Sequence, residues 1–430
     1  SASRSSPLSV VIMPLSVVPS EYFHSAPPSY IALFGHSGSQ APQLIHSSVI
    51  IIAIANLFFT NIETDFGIFC SNNKKDASYI CTVEKENIKF AFSQLGMLMT
   101  HFGQSNDWTG FDLGITEEEH SSFNELIVRQ KHYNGWFTEE MVRKSLLSLG
   151  GLLTEKQLSN WTSEYGYNVE SKTVAVIMAG NIPLVGFHDF LSVLMSGNRI
   201  LAKLSSDDKY LLPALADFLF VFEPKLKDRI TFSEGKISGF DAVIATGSDS
   251  SSAYFEQYFS SYPHIFRSNR TSIAILDGSE SKKDVELLAE DIFNYFGRGC
   301  RNVSHLLLPR TYDINKVFEG LVVMGDVVHN KKYGNNYDYN KAVHLLNQEQ
   351  LLDNNFVLLK ESAELFSPLG MLYYHFYDSE SDILDYLEEN KDQLQCIVGD
   401  GRIPFGKAQQ PSLSDYADGV DTLKWLNQLK

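Results

Sequence analysis

The chain has 430 residues, 44% of them hydrophobic, and a formal net charge of −17 with histidine counted as neutral. The length predicts two or three domains, and the composition is that of a globular protein. The negative charge argues against nucleic acid and anionic membranes as partners. None of the four cysteines belongs to a CxxC pair or to a Cys/His cluster of zinc-ligand spacing, so we predict no metal site, no disulfide framework and a cytoplasmic location.

Residues 1–80 differ in composition from the rest of the chain. Up to Asn61 the only charged residues are Arg4 and Glu21, and serine is abundant. The apolar run Val49–Phe59 is too short for a membrane span of about 20 residues, and it lacks the basic lead and early position of a signal peptide. We therefore predict a low-charge extension, disordered or not native to the protein, and no stable membrane insertion. An accessory structured element and an anchor are the alternatives.

From Val83 onward the sequence has the pattern of a folded enzyme. Helical periodicity predicts helices over Glu84–Phe102, Phe137–Leu149 and Thr154–Glu164. The apolar positions of the first helix include Phe90, Leu95 and Met99.

The next segment predicts a strand–helix–strand unit. Val174–Met178 is a short apolar run typical of a buried strand, and Gly180–Pro183 is a turn. Leu184–Ser196 is predicted as a helix that Gly197 ends. Arg199–Leu204 is the second strand, which we expect to be parallel to the first through a right-handed connection.

Further alternation of strands and helices follows. We predict strands at Asp241–Ala245, Ser272–Leu276 and Leu306–Leu308, with helices through Tyr258 and over Asp284–Tyr295. This order predicts an α/β fold whose ligands bind at the carboxyl ends of the parallel strands.

Two residues are candidates for catalytic roles. Cys300 lies between glycines and arginines in Gly297-Arg-Gly-Cys-Arg-Asn302, and nearby cations lower the pKa of a thiol and favour the nucleophilic thiolate. A buried structural cysteine is the alternative. Asn181 follows a predicted strand, where an asparagine either forms the turn or donates its amide to an oxyanion.

Polar residues after two predicted strands are candidates for binding a cofactor. Thr246, Gly247 and Ser248 join a strand to a helix, so their backbone amides could hold a pyrophosphate at the helix N-terminus, although a plain turn is the alternative. Lys203, followed by Ser205 and Ser206, ends another strand and suits a ribose or phosphate contact, with a solvated lysine as the alternative.

In this order the motifs resemble those of the aldehyde dehydrogenase superfamily. The matching stretches are Gly180–Pro183, Ser196–Asn198, Leu201–Ser205, Thr246–Ser248, Gly299-Cys300 and Glu364-Leu-Phe-Ser-Pro368. The resemblance implies that Asn181 stabilises an oxyanion, that Cys300 is the nucleophile and that Glu364 holds the nicotinamide ribose.

Within that superfamily the sequence most resembles the LuxC-type acyl-CoA reductases. The supporting stretches are Ala179–Asp189, Gly297–Ser304 and Pro411–Asp421. The resemblance covers roughly residues 83–430 and implies a Rossmann-type cofactor domain plus an α/β catalytic domain. We expect these domains at 83–270 and 271–395, with 396–430 returning to the cofactor domain.

The departures from the superfamily indicate which reaction to expect. Hydrolytic members carry a glutamate base where this chain has Arg267–Ser272, which contains no carboxylate. Without a base to activate water, hydride attack on the acyl-enzyme is favoured over hydrolysis. The resemblance therefore implies reduction of a fatty acyl-CoA to an aldehyde. We expect NADPH as the cofactor, because uncharged Ser206 occupies the place of an acidic residue in NAD-dependent members.

The sequence also suggests binding partners and leaves alternative functions open. Four arginines are candidates for binding the phosphates of coenzyme A or of the cofactor: Arg267, Arg270, Arg298 and Arg301. Family resemblance implies a homo-oligomer or a fatty-acid reductase complex. The alternatives are a reductase of acyl phosphates on the same fold, a non-catalytic subunit of a reductase complex, and a membrane-associated protein.

Overall fold

The computed structural model describes residues 74–104, 107–108, 110, 113–168 and 170–429, with backbone alone at 74–82 and 249–250. Residues 1–73 of the predicted N-terminal extension lie outside the described part of the chain. They include the apolar run Val49–Phe59. Among the helices within these ranges, none is long and apolar enough to cross a membrane.

Four helices form the first part of the described chain. They are α1 (Lys74–Gly103), α2 (Glu117–Tyr133), α3 (Glu139–Leu152) and α4 (Glu155–Thr162). A threonine precedes each of the last three, and its side-chain oxygen accepts a backbone N–H of the first turn. Such capping satisfies a donor that the helix itself cannot pair, which explains where these helices begin.

Helix α1 contains the first helix predicted from periodicity and buries one face. Leu95 and Met99 are fully buried, as the apolar period predicts, whereas Phe90 is 57% exposed. The apolar period therefore predicts the helix but does not by itself select which of its apolar positions are buried.

The first sheet has five parallel strands in the order β3-β2-β1-β4-β5. They are β1 (Thr173–Ile177), β2 (Arg199–Lys203), β3 (Ile230–Ser233), β4 (Ala242–Thr246) and β5 (His264–Arg267). The connecting helices are α5 (Phe187–Met195), α6 (Leu211–Phe222) and α7 (Asp249–Phe259). The predicted pairing of β1 with β2 is confirmed as parallel. Gly197 between them has φ of +87°, a left-handed conformation that favours glycine at the end of a helix.

The second sheet has the order β11-β6-β7-β10-β9-β8 and is parallel except for the β8–β9 pair. Its strands are β6 (Thr271–Ile275), β7 (Val303–Pro309), β8 (Leu352–Asp353), β9 (Leu358–Glu361), β10 (Met371–Tyr377) and β11 (Leu394–Gly399). The helices between and after these strands are α8 (Lys282–Phe293), α9 (Asn315–Leu321), α10 (Lys331–Leu346), α11 (Glu380–Asn390) and α12 (Thr422–Asn427). Short 3-10 segments occupy Pro224–Asp228, Asn294–Gly297, Val322–His329 and Ala417–Gly419.

The last thirty residues run back to the first sheet's side of the molecule. Helix α12 packs against α5, and the Leu426 carbonyl accepts a hydrogen bond from the Asn168 side chain at 3.0 Å. Cys396, with which the predicted returning segment begins, lies within β11 of the second sheet. The domain boundaries predicted from the sequence stay predictions.

Candidate active site

A cleft of about 1010 Å³ opens where the two sheets present the ends of their strands. The carboxyl ends of β1, β4 and β5 reach it from the first sheet, at Ile177, Thr246 and Arg267. The turn before β7 reaches it with residues 297–301, and the returning C-terminal segment closes one side. Strand ends of parallel sheets are where α/β proteins bind their ligands, as the sequence predicted.

Cys300 lines this cleft, but its electrostatic setting differs from the prediction. Burial raises the pKa of the thiol to about 11, and Arg301 opposes that shift without cancelling it. Arg301 lowers this pKa as predicted, but desolvation outweighs its effect, because removing the thiolate from water costs more than the cation returns. The resting thiol is therefore protonated at neutral pH.

Two of the four candidate phosphate-binding arginines are engaged inside the protein. Arg267 is 3% exposed, and its guanidinium lies 2.6 Å from an Asp189 carboxylate oxygen. Arg270 pairs with Asp418 at 3.0 Å. A buried guanidinium held this way stays charged and fixes the elements it joins. These two side chains connect β5 and the following loop to α5 and the C-terminal segment, and their geometry does not support a role in phosphate binding.

The other two arginines flank Cys300. Arg301 donates its Nε–H to the Ala408 carbonyl at 2.5 Å. The Arg298 guanidinium lies over the Trp136 ring, 4.8 Å from its centroid, and burial lowers its pKa. An aromatic face stabilises a cation without neutralising it, so Arg298 remains a candidate for contacting an anionic group.

Asn181 and the nucleophile turn are brought together. The Asn181 amide donates to the Arg298 carbonyl at 2.7 Å, across 117 positions of sequence. One amide hydrogen is used in this contact, and an NH₂ group has a second. The contact places Asn181 beside the backbone of the Cys300 turn, where its second amide hydrogen is a candidate donor to an oxyanion.

The loop that carries Asn181 is fixed by contacts that the sequence did not predict. Leu184 has φ of +60°, a conformation uncommon for non-glycine residues, and its N–H donates to an Asp208 carboxylate oxygen at 2.7 Å. Ser145 donates to the Pro183 carbonyl at 2.8 Å. No local signal marked Asp208 or Ser145, because each acts through a fold contact rather than through a motif.

Of the predicted cofactor residues, four line the cleft: Ser205, Thr246, Gly247 and Ser248. A Cβ atom at Gly247 would lie 2.7 Å from the Ser251 Cβ, so the turn requires a residue without a side chain. Helix α7 follows at once, and Ser251 in its first turn also lines the cleft.

The other three predicted cofactor residues are outside the cleft lining. Lys203 ends β2 and donates to the Gly235 carbonyl at 2.6 Å, while Ser206 is exposed. Glu364 is also exposed, and Phe366 and Ser367, two and three positions further on, line the cleft instead.

Residues 118–322 match the family model described as acyl-CoA reductase (LuxC). A curated relative, the long-chain acyl-protein thioester reductase of Photorhabdus laumondii, is 22% identical over 51% of this chain and 52% of its own length. The chain thus spans about half the length of this curated relative.

Solved structures share the architecture. Aldehyde dehydrogenase 21 of Physcomitrella patens superposes with a TM-score of 0.51 at 10% identity, covering 76% of each chain. The indole-3-acetaldehyde dehydrogenase AldA of P. syringae gives 0.50 at 12% identity, covering 76% of this chain and 77% of its own. The predicted aldehyde dehydrogenase-like α/β fold is confirmed. The segment that matches the acyl-CoA reductase (LuxC) model, residues 118–322, therefore belongs to a chain with an aldehyde dehydrogenase-like fold.

Proposed function

We propose that this protein reduces a fatty acyl-CoA to the fatty aldehyde with NADPH, through an acyl group carried on Cys300. The observation that carries the proposal is the 2.7 Å contact between the Asn181 amide and the Arg298 carbonyl. It sets the candidate oxyanion donor beside the turn of the candidate nucleophile. Family and fold are consistent with this chemistry.

The first half of the reaction depends on the chain's own groups. The Cys300 sulfur attacks the thioester carbonyl carbon as its proton leaves, and the Asn181 amide and the Cys300 backbone N–H stabilise the oxyanion. The C–S bond to coenzyme A then breaks, and coenzyme A departs as a thiolate that takes up a proton. The acyl group remains on Cys300 as a thioester.

The second half requires a hydride, which bound NADPH supplies. The cleft residues Ser205, Thr246, Gly247 and Ser248 would hold the cofactor, with its pyrophosphate at the start of α7. Asn181 stabilises the oxyanion again when the acyl carbon is reduced. The resulting tetrahedral oxyanion collapses and releases the aldehyde. The electron pair of the broken C–S bond returns to the Cys300 sulfur, which takes up a proton from solvent.

The charged groups of the cleft favour reduction over hydrolysis. The loop Ser268–Arg270 lines the cleft and contains no carboxylate. Nearby, Asp189 is paired with Arg267 and Asp418 with Arg270. Each of these two carboxylates is already engaged with a guanidinium, so neither is free to act as the base that hydrolysis needs.

The preference for NADPH is supported by the end of β2. Ser206 is exposed and uncharged, and Lys203 adds a cation at this strand end. Asp208, one of two acidic residues that could oppose a 2′-phosphate, is 8% exposed and accepts the Leu184 N–H. Its carboxyl is turned inward, and burial raises its pKa to about 6. Asp207 lines the cleft and remains an opposing charge.

Labelled acyl-CoA tests the proposal. Incubation without cofactor should place the label on Cys300, and addition of NADPH should release labelled aldehyde. Label on another residue, or none at all, would contradict the mechanism. The same assay with an acyl phosphate and with an acyl-protein thioester identifies the natural acyl donor, since the curated relative is named for the latter. We also propose a cytoplasmic location and assembly as a homo-oligomer or as part of a fatty-acid reductase complex.

A further inference from the structure

The turn before Cys300 adopts a backbone conformation that its residues do not favour. Tyr295, Phe296 and Gly297 have φ of 54°, 58° and 74°. The left-handed region brings Cβ close to the following carbonyl oxygen, so two successive non-glycine residues there are unusual. Both side chains are 6% exposed. Such a turn persists only where its surroundings hold it, and strain of this kind clusters at functional sites.

Asn302 contacts the chain on both sides of this turn. Its side-chain NH₂ donates to the carbonyls of Asp291, Ile292 and Asn294 at 3.0, 3.2 and 2.8 Å. Its Oδ1 accepts the N–H of Gly299 at 2.7 Å. The side chain is 2% exposed, and all four partners are backbone groups.

These contacts explain why an asparagine is needed two residues after the cysteine. The carbonyls belong to the end of α8 and the residue after it, where the helix leaves acceptors unpaired. One short side chain must donate to them and accept from Gly299, which asparagine does and aspartate or alanine does not. Asn302 thereby joins the end of α8 to the residue before Cys300.

We propose that Asn302 is a positioning residue that fixes the orientation of the Cys300 thiol and backbone N–H toward the substrate carbonyl. Asn181 donates to Arg298 in the same turn, so the position of the turn also sets the separation between nucleophile and oxyanion donor. The consequence for turnover rests on the proposed function, whereas the orientation of the thiol does not.

Asn302→Ala tests this role. Misplacement of a reacting group by about 1 Å costs on the order of 10²-fold in rate, so kcat should fall by about that factor. The dissociation constant of NADPH should not change, because Asn302 is not among the residues that line the cleft. The rate of Cys300 alkylation by iodoacetamide should change with kcat.

Asn198→Ala is the matched control. Asn198 is fully buried, accepts the Lys172 backbone N–H at 3.0 Å and is not among the cleft-lining residues. Its replacement should lower the unfolding midpoint without altering Cys300 alkylation. If Asn198→Ala changed the alkylation rate as much as Asn302→Ala does, a loss of stability would explain both effects. That result would overturn the proposal.

Gly299→Ala gives a second, milder variant in case Asn302→Ala does not fold. The added Cβ would lie 3.0 Å from the Asn302 Oδ1, so it disturbs one contact and leaves the three carbonyl contacts in place. A smaller loss of kcat and a smaller change in alkylation are expected. The proposal is overturned if either folded variant alkylates and turns over like the parent chain. Acyl label on a residue other than Cys300 of the parent chain would contradict the proposed function alone, since iodoacetamide needs no substrate.

Discussion

The nucleophile side and the cofactor side of the cleft hold their functional groups differently. On the nucleophile side, Asn302 and Asn181 donate to backbone carbonyls around Cys300 at 2.7–3.2 Å. On the cofactor side, Ser205 and Thr246 are only half-buried and Ser248 is exposed to solvent. Geometry that must exist before the reaction begins is built from buried contacts. A cofactor that brings its own charge can be bound by exposed side chains.

This difference predicts large effects of substitution on one side and small effects on the other. The largest is expected for Cys300→Ala, which should abolish acyl-enzyme formation and reduction while leaving the fold intact. Mass spectrometry after incubation with acyl-CoA measures the first and aldehyde production the second. Cys396→Ser is the control, since Cys396 is buried beside the Ser272 hydroxyl at 3.0 Å and should be replaceable with little effect. Full activity of Cys300→Ala would refute the mechanism.

Asn181→Ala should follow in size. It removes one of two proposed oxyanion donors, so kcat should fall by about 10²–10³-fold. NADPH binding, followed by fluorescence, should survive, because the amide is assigned to the acyl oxygen. A change confined to KM would instead assign Asn181 to substrate binding.

The alkylation of Cys300 should depend steeply on pH. Burial favours the neutral thiol and raises its pKa to about 11, so the thiolate fraction rises with pH throughout the neutral range. The rate with iodoacetamide should increase about ten-fold per pH unit, or about 10²-fold between pH 7 and 9. If the alkylation rate stopped rising below pH 8, the effect of the arginines on the thiol pKa would outweigh that of burial. Repeating the titration with bound NADPH tests whether the cofactor shifts this balance.

The smallest effect is expected on the cofactor side. Ser206→Glu places a carboxylate near the proposed 2′-phosphate and should weaken NADPH binding by up to about ten-fold, the order of one like-charge contact near a protein surface. NADH affinity should change little. Ser206→Gln, similar in size but uncharged, is the control, and an equal loss in both variants would point to steric rather than electrostatic discrimination.

Some of the candidate site could be predicted because its signals are local. Cys300, Asn181 and the turn Thr246–Ser248 lie at loops between helices and strands, and the parallel sheets bring such loops to one edge. Glu364 and Lys203 have the same kind of local signal, yet neither is among the residues that line the cleft. The motif fixes the residue type, whereas the path of the chain fixes where the side chain lies.

The sequence by itself determined the alternation of strands and helices, the parallel β1–β2 unit and the family resemblance, because these depend on periodicity and on spacing along the chain. Only the tertiary structure decided which charges are available. Arg267 and Asp189 are 78 positions apart and become an ion pair only because the fold brings their side chains to 2.6 Å. Burial of Cys300 likewise depends on the elements that enclose it, and it reverses the pKa shift that its neighbouring arginines suggested. Desolvation and long-range contacts are properties of the folded surroundings, which no local pattern contains.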